Sequence, residues 1–253
     1  MGYFYFDESI HERAGFILGA YVFSPHELTP HVFRKLEAVG LRPGIDEYKS
    51  SAKMSENATQ RALRKELKEL LWNIKLGIVV VPSAERQNLG TEALQGLKKI
   101  ILANELLGEQ HHVYFDEGIG FRSPARVVEE LYLCEIYTGQ DSRLVGGLQV
   151  ADLAAHTMSV MLLETLGVIN KTVKAGPNSG YDPDLDVELG FELWATQRYH
   201  FFTRDNADPD LDQLEGFTLD IGSYAVHVAE LCTDVLRNAV QKRFGECYLG
   251  CIH

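Results

Sequence analysis

The sequence predicts an α/β protein: a mixed β-sheet flanked by helices, followed by a smaller α/β extension. Three observations lead there. Short apolar runs rich in aromatic and β-branched residues recur with turn signals between them, as strands require. Longer segments with apolar residues at helical spacing alternate with those runs after residue 50. The chain of 253 residues, 45% hydrophobic and 24% charged, is long enough to bury a sizeable core.

Tyr3 to Phe6 reads as a strand feeding a turn at Asp7-Glu8-Ser9, and Ala14 to Phe23 as a second strand stopped by Ser24-Pro25. His26 to Val39 is helical and ends at Gly40. Arg42-Pro43-Gly44 is a turn that delivers Ile45-Asp46-Glu47-Tyr48-Lys49. Ser55 is the expected N-cap of the next helix, where Leu63, Leu67, Leu70, Leu71 and Ile74 share one face. Its other side carries Arg61, Arg64, Lys65, Lys68 and Lys75 against Glu66 and Glu69, the one clearly basic element of the chain. Leu76 to Val81 is a strand, Thr91 to Leu107 a helix, and His112 to Phe115 a strand that runs into Asp116-Glu117. Pro124 to Leu133 reads as helix, Glu135 to Thr138 as a short strand, and Leu148 to Leu166 as an apolar helix with one early acid, Asp152. Beyond Gly167 the composition becomes turn-rich, with Gly176-Pro177-Asn178, an aromatic stretch at Arg198 to Arg204, and Tyr224 to Phe244 as a terminal helix. These readings divide the chain into a core over 1–166 and an extension over 167–253 packed on it.

Charge and composition narrow the function. A net charge of −12, from 24 basic and 36 acidic residues, argues against a broad non-specific nucleic-acid surface. It leaves room for an acidic catalytic site with basic residues confined to one face. No stretch is apolar enough to span a bilayer, and the N-terminus lacks the positive region of a signal peptide. Met1-Gly2 begins like a myristoylation site, but Phe6 stands where Ser or Thr is required. Four cysteines without framework spacing fit a reduced, cytoplasmic protein.

The chemistry concentrates in acids. Asp7 and Asp116 each follow a hydrophobic strand, a rigid mount for a carboxylate. If those strands are neighbours, the two carboxylates converge, and clustered carboxylates repel unless a proton or cation separates them. Magnesium or manganese accommodates such a set through oxygen ligands. Asp152, at the start of a packed helix, is either dipole stabilisation or a ligand. Glu47 and Lys49, two residues apart in an extended segment, either face one site or form an ordinary ion pair. Glu8 and Glu117 alternate away from their Asp neighbours and are weaker ligands. Asp-Pro-Asp-Leu-Asp occurs at Asp182 and again at Asp208, but neither copy has the glycine of a calcium loop, so solvated acidic loops are expected. Cys247, Cys251 and His253 lack a fourth partner for zinc. Neither a P-loop nor a nucleophile-elbow motif occurs.

Tyr5-Phe6-Asp7-Glu8-Ser9, Gly19-Ala20, Glu47-Tyr48-Lys49, Val113-Tyr114-Phe115-Asp116-Glu117, Asp141-Ser142 and Gly147-Leu148-Gln149-Val150-Ala151-Asp152 follow one another in an order that resembles the domain-of-unknown-function 3800 family. The resemblance spans residues 3 to about 160. It departs at Ser9-Ile10-His11, where that family more often has Gly after Ser. It implies a ribonuclease H-like fold and two magnesium or manganese ions about 4 Å apart. Asp7 is then the central ligand, completed by Glu47, Asp116 and Asp152, with Lys49 on a substrate phosphate or the attacking water. Gln149 would support a ligand carboxylate; His156, four residues after Asp152 on the same helical face, could relay protons or bind product, with a satisfied core histidine as the commoner alternative. The implied activity is phosphodiester hydrolysis of DNA or RNA, with the basic helix contacting phosphates or simply solvated. Two other classes stay open: a binding module with a vestigial acidic site, and a hydrolase of small phosphate esters.

Overall fold

The computed structural model describes residues 1–122, 125–175, 181–205 and 218–248. In chain order the elements are β1 (Gly2–His11), β2 (Phe16–Ser24), α1 (Thr29–Ala38), α2 (Ala58–Leu70), β3 (Lys75–Pro82), α3 (Leu89–Ala103), β4 (His111–Asp116), α4 (Ala125–Glu130), β5 (Cys134–Gln140) and α5 (Gly147–Thr165). There follow β6 (Thr172–Lys174), β7 (Asp186–Glu188), α6 (Leu189–Gln197), β8 (Arg204–Asp205), β9 (Thr218–Asp220), α7 (Gly222–Ala225), β10 (Val226–Val228), α8 (Asp234–Phe244) and β11 (Glu246–Tyr248).

The fold is the expected mixed α/β type. Six strands form the main sheet in the order β10-β3-β2-β1-β4-β5. β1, β2 and β3 run antiparallel in succession, while β4 lies parallel to β1 and β5 parallel to β4. α5 packs across β1 and β2, and α3 packs on β3 and β10. The two helices take opposite faces: Gly147 of α5 sits on the Tyr5 ring, whereas the Tyr21 hydroxyl donates to the Ala93 carbonyl of α3 at 2.8 Å. Phe4, Phe6, Ile17, Leu18, Val79, Leu97, Leu148 and Met158 are fully buried between these layers. Their removal from water is the main stabilising contribution, roughly 1.5–3 kcal/mol for each large side chain.

Several boundaries differ from the sequence expectation. β1 does not stop at Phe6 but continues through Asp7-Glu8-Ser9 to His11, because β2 pairs with it residue for residue, Asp7 opposite Ala20 and Glu8 opposite Gly19. The turn lies later, over Glu12–Ala14, and closes on Gly15 at φ 78°. α2 is capped by Asn57, whose side chain accepts from Gln60 N at 3.0 Å, and not by Ser55. The expected terminal helix over Tyr224 to Phe244 is three elements. Val226-His227-Val228 pairs in parallel with Ile78–Val80, and Thr233 then caps α8 by accepting from Leu236 N. Residues beyond 167 thus supply the edge strand of the main sheet, and Phe202 packs on Phe4.

The first Asp-Pro-Asp-Leu-Asp copy forms an exposed turn in which Asp182 accepts from Asp184 N at 2.9 Å. The copy at Asp208 lies outside the described residues, as do Gly176-Pro177-Asn178, Cys251 and His253. No described helix is long and apolar enough to cross a membrane.

Candidate functional site

The acids converge beside α5. β1 and β4 are adjacent and parallel, with Phe6 opposite Phe115, so Asp7 and Asp116 are the next residues along two neighbouring strands. The pairing of β4 with β5 shifts register between Tyr114 and Asp116. Asp7 alternates onto the same face as Tyr5, the face that α5 covers. Asp152 projects from α5 toward that face. It stands in the second turn of the helix, because α5 starts at Gly147, and the first turn contains no acid. A stabilising contact with the helix dipole is strongest in the first turn, so the dipole explanation for Asp152 is weakened.

The electrostatics record the crowding. Burial holds the Asp7 carboxyl well above the usual carboxylate range, and Asp116, Asp152 and Glu8 add to it. Burial likewise pushes Asp116 up to about 7, opposed by the nearby Lys49 ammonium. Asp152 is raised by burial despite two hydrogen bonds from Ser50, one from its backbone N at 2.8 Å and one from its hydroxyl. Lys49 loses hydration, but Glu47, Asp116 and Asp152 outweigh that loss and hold its ammonium above the ordinary lysine value. Beside these acids, Asp116 Oδ1 and Glu8 Oε2 are buried with no hydrogen-bond partner among the described residues.

Glu8 is the residue that sequence reasoning set aside. Simple alternation sends it to the other face, yet burial raises its carboxyl, a hydrogen bond with Asp7 partly offsets that rise, and Asp152 acts on it as well. Opposite it in β2 stands Gly19, where an added Cβ would lie 2.1 Å from the Phe6 ring. Glu117 is exposed, its backbone N donating to the Gln140 carbonyl.

Glu47 and its neighbours are held by a different device. The 41–57 segment has no helix or strand, and side chains from elsewhere fasten it. Fully buried Gln149 of α5 accepts from Tyr48 N at 2.8 Å and donates to the Ser142 carbonyl at 2.9 Å. It therefore braces the backbone beside Glu47 and does not touch a carboxylate, a correction to its expected contact. Gln60 of α2 donates to the Glu47 carbonyl at 2.7 Å and accepts from Lys49 N at 3.0 Å. The Glu47 carboxylate accepts from the Ser142 hydroxyl and pairs with Lys49 Nζ at 3.3 Å. His156, one helical turn beyond Asp152, is pushed down to about 4 by burial, with Arg64 and His11 adding to the effect, and is neutral at pH 7.

Asp7, Glu47, Asp116, Asp152 and Lys49 thus occupy one region of the protein. Among the described residues, no three or more His, Cys, Asp or Glu side chains stand in metal-ligating geometry. Glu47 and Asp152 accept from serine and lysine donors. The donor set still fits a hard divalent ion, because it is all oxygen and includes unpartnered buried carboxylate oxygens.

No protein-family profile and no curated protein matches the chain. Among solved structures, a chain of the PCNA:RNase HII complex from Archaeoglobus fulgidus is similar at a TM-score of 0.36 and 15% identity, covering 72% of this chain and 82% of that one. A likeness this distant bears on neither fold nor chemistry, which rest on the strand pairing and side-chain geometry above.

Proposed function

We propose that this protein is a divalent-metal-dependent phosphodiester hydrolase acting on DNA or RNA, with a ribonuclease H-like core. One observation supports the reading above the others. Asp7 and Asp116 end up side by side on parallel strands, opposite Asp152, in surroundings that disfavour their charge and leave Asp116 Oδ1 unpartnered among the described residues. A structural role would favour neutral or paired groups there. Buried like charges are instead a mark of sites that bind cations or move protons.

In this reading Asp7, Asp116 and Asp152 hold magnesium or manganese, and Glu47 joins by exchanging Lys49 and Ser142 for the ion. Bound divalent ions supply a water of lowered pKa and neutralise charge at the departing oxygen. The chain's own residues do the positioning. The sheet fixes the spacing of Asp7 and Asp116. Gln149 and Gln60 fix the loop that presents Glu47 and Lys49. Lys49, were Glu47 to bind the ion, would donate to a phosphate oxygen. The competing reading, a binding module with a vestigial site, draws on the saturation of Glu47 and Asp152 by Ser142, Lys49 and Ser50.

Cleavage of a mixed oligonucleotide pool with magnesium or manganese separates the two. Wild type cleaves, and Asp7→Asn and Asp152→Asn each abolish cleavage while keeping the fold. Binding without turnover, insensitive to chelator, would favour the module; turnover unchanged in both variants would refute the site.

A further inference from the structure

α2 carries its basic residues on two faces with different surroundings. Arg61 and Lys65 are exposed. Gln60, Arg64 and Lys68 repeat every four residues and form a half-buried stripe on the side that meets α5 and the Glu47 loop. Other half-buried cations among the described residues have partners: Lys35 pairs with Glu66, Lys98 with Glu130, Lys99 donates to two backbone carbonyls, and Arg198, whose Nε is likewise unpartnered, donates to the Tyr199 hydroxyl and the Tyr248 carbonyl. Arg64 and Lys68 have no ion pair among the described residues, and Glu192 of α6 acts on Lys68 only from beyond ion-pair distance. Arg64 Nε is buried with no hydrogen-bond partner.

Two further groups lie within electrostatic reach of Arg64. The Tyr48 hydroxyl is unpartnered, on a side chain 1% exposed, and its charged neighbours are Arg64 and Asp152. His156 of α5 faces Arg64 and His11 and makes no hydrogen bond among the described residues. Half-buried cations without partners are costly, and two of them one turn apart repel. The chain has 36 acids and 24 bases, yet among the described residues no carboxylate comes within ion-pair distance of either cation; Glu192 and Asp152 stand farther off. An arginine fork with neighbouring donors suits an oxyanion from outside.

We propose that Arg64, Lys68 and His156, with the Tyr48 hydroxyl behind them, form a phosphate-binding subsite beside Asp152 that holds a backbone phosphate of the substrate strand next to the cleaved one. The nature of the anion rests on the nuclease reading; the subsite itself needs no metal. It is tested on the full chain in chelator, by calorimetric titration with inorganic phosphate and competition by a short single-stranded oligonucleotide. Saturable binding is expected, displaced by the oligonucleotide. It should weaken roughly tenfold or more in Arg64→Gln and in Lys68→Gln, and stay unchanged in Arg61→Gln and Lys65→Gln. Tyr48→Phe should weaken binding without lowering Tm, since the hydroxyl gives up no bond. Lys68→Gln and Tyr48→Phe keep the test open should Arg64→Gln unfold.

No saturable binding, no displacement, or equal losses from the exposed-face variants would overturn the subsite. The two readings fail separately. Cleavage by wild type with KM and phosphate affinity unchanged in Arg64→Gln and Lys68→Gln removes the subsite alone. Arg64-dependent phosphate binding in a protein that cleaves nothing removes the nuclease reading alone.

Discussion

Asp7 and Asp116 hang on neighbouring strands of the sheet, whereas Glu47 and Asp152 are set by a loop and a helix that only side chains join. The strand pair keeps an oxygen without a donor among the described residues, Asp116 Oδ1, and Asp7 accepts only from the adjacent Glu8 N, because backbone pairing fixes where both carboxylates stand. The loop-and-helix pair is already satisfied, with Ser50 on Asp152 and Ser142 and Lys49 on Glu47. The contrast separates two ways of mounting an acid. A sheet holds a carboxylate where it is electrostatically unwelcome; a loop lets it find a partner.

That contrast can be broken most severely at Asp7. Asp7→Asn should lower metal-dependent cleavage roughly a thousandfold or more. At the same time it should raise the Tm of the chelated protein at pH 7, by about 2–4 °C for each kcal/mol of relieved repulsion. A lower Tm in chelator would show that Asp7 is a structural acid. Gln149→Leu attacks the other half. It leaves Tyr48 N–H and the Ser142 carbonyl buried and unpaired, at about 1–3 kcal/mol each, and urea unfolding should report the loss. Gly147→Ala should cost about 1–3 kcal/mol by the same measurement, because its Cβ would lie 2.4 Å from the Tyr5 ring on the face that seats Asp7.

A pH series sharpens the same distinction with a smaller effect. Asp7 and Asp116 have raised folded-state values, Asp116 about 7, so between the ordinary carboxylate range and pH 7 the folded protein binds more protons than the unfolded chain. Stability of the chelated protein therefore falls as pH rises through that window. Magnesium should flatten the slope in thermal melts, and a slope indifferent to magnesium would contradict the site. The smallest effect is expected from Ser50→Ala, which frees Asp152 from its hydroxyl donor and should leave cleavage within about tenfold of wild type.

Sequence reasoning located most of the sheet because aromatic and β-branched runs mark strands whatever they pair with. It placed Asp7 and Asp116 together on the condition that their strands were neighbours, which the parallel pairing of β1 and β4 meets. It stopped β1 too early, since Asp7-Glu8-Ser9 looks like a turn until the antiparallel partner β2 is known. Glu8 alternates away from Asp7 along the unbroken β1–β2 register, and only the structure shows that the charges of Arg86 and Asp152 still reach it. The partners of Glu47 and Asp152 were out of reach for another reason. Ser142 is 95 residues from Glu47 and Ser50 is 102 from Asp152, so only tertiary structure joins them. The strand at Val226-His227-Val228 was absorbed into a helical pattern, since three residues define no period and the edge of β3 decides.

Calorimetric titration of manganese into wild type and into the Asp7→Asn and Asp116→Asn variants tests the central claim most directly. Saturable binding to wild type that is lost in both variants is the predicted result. Equal affinity in all three proteins would contradict it.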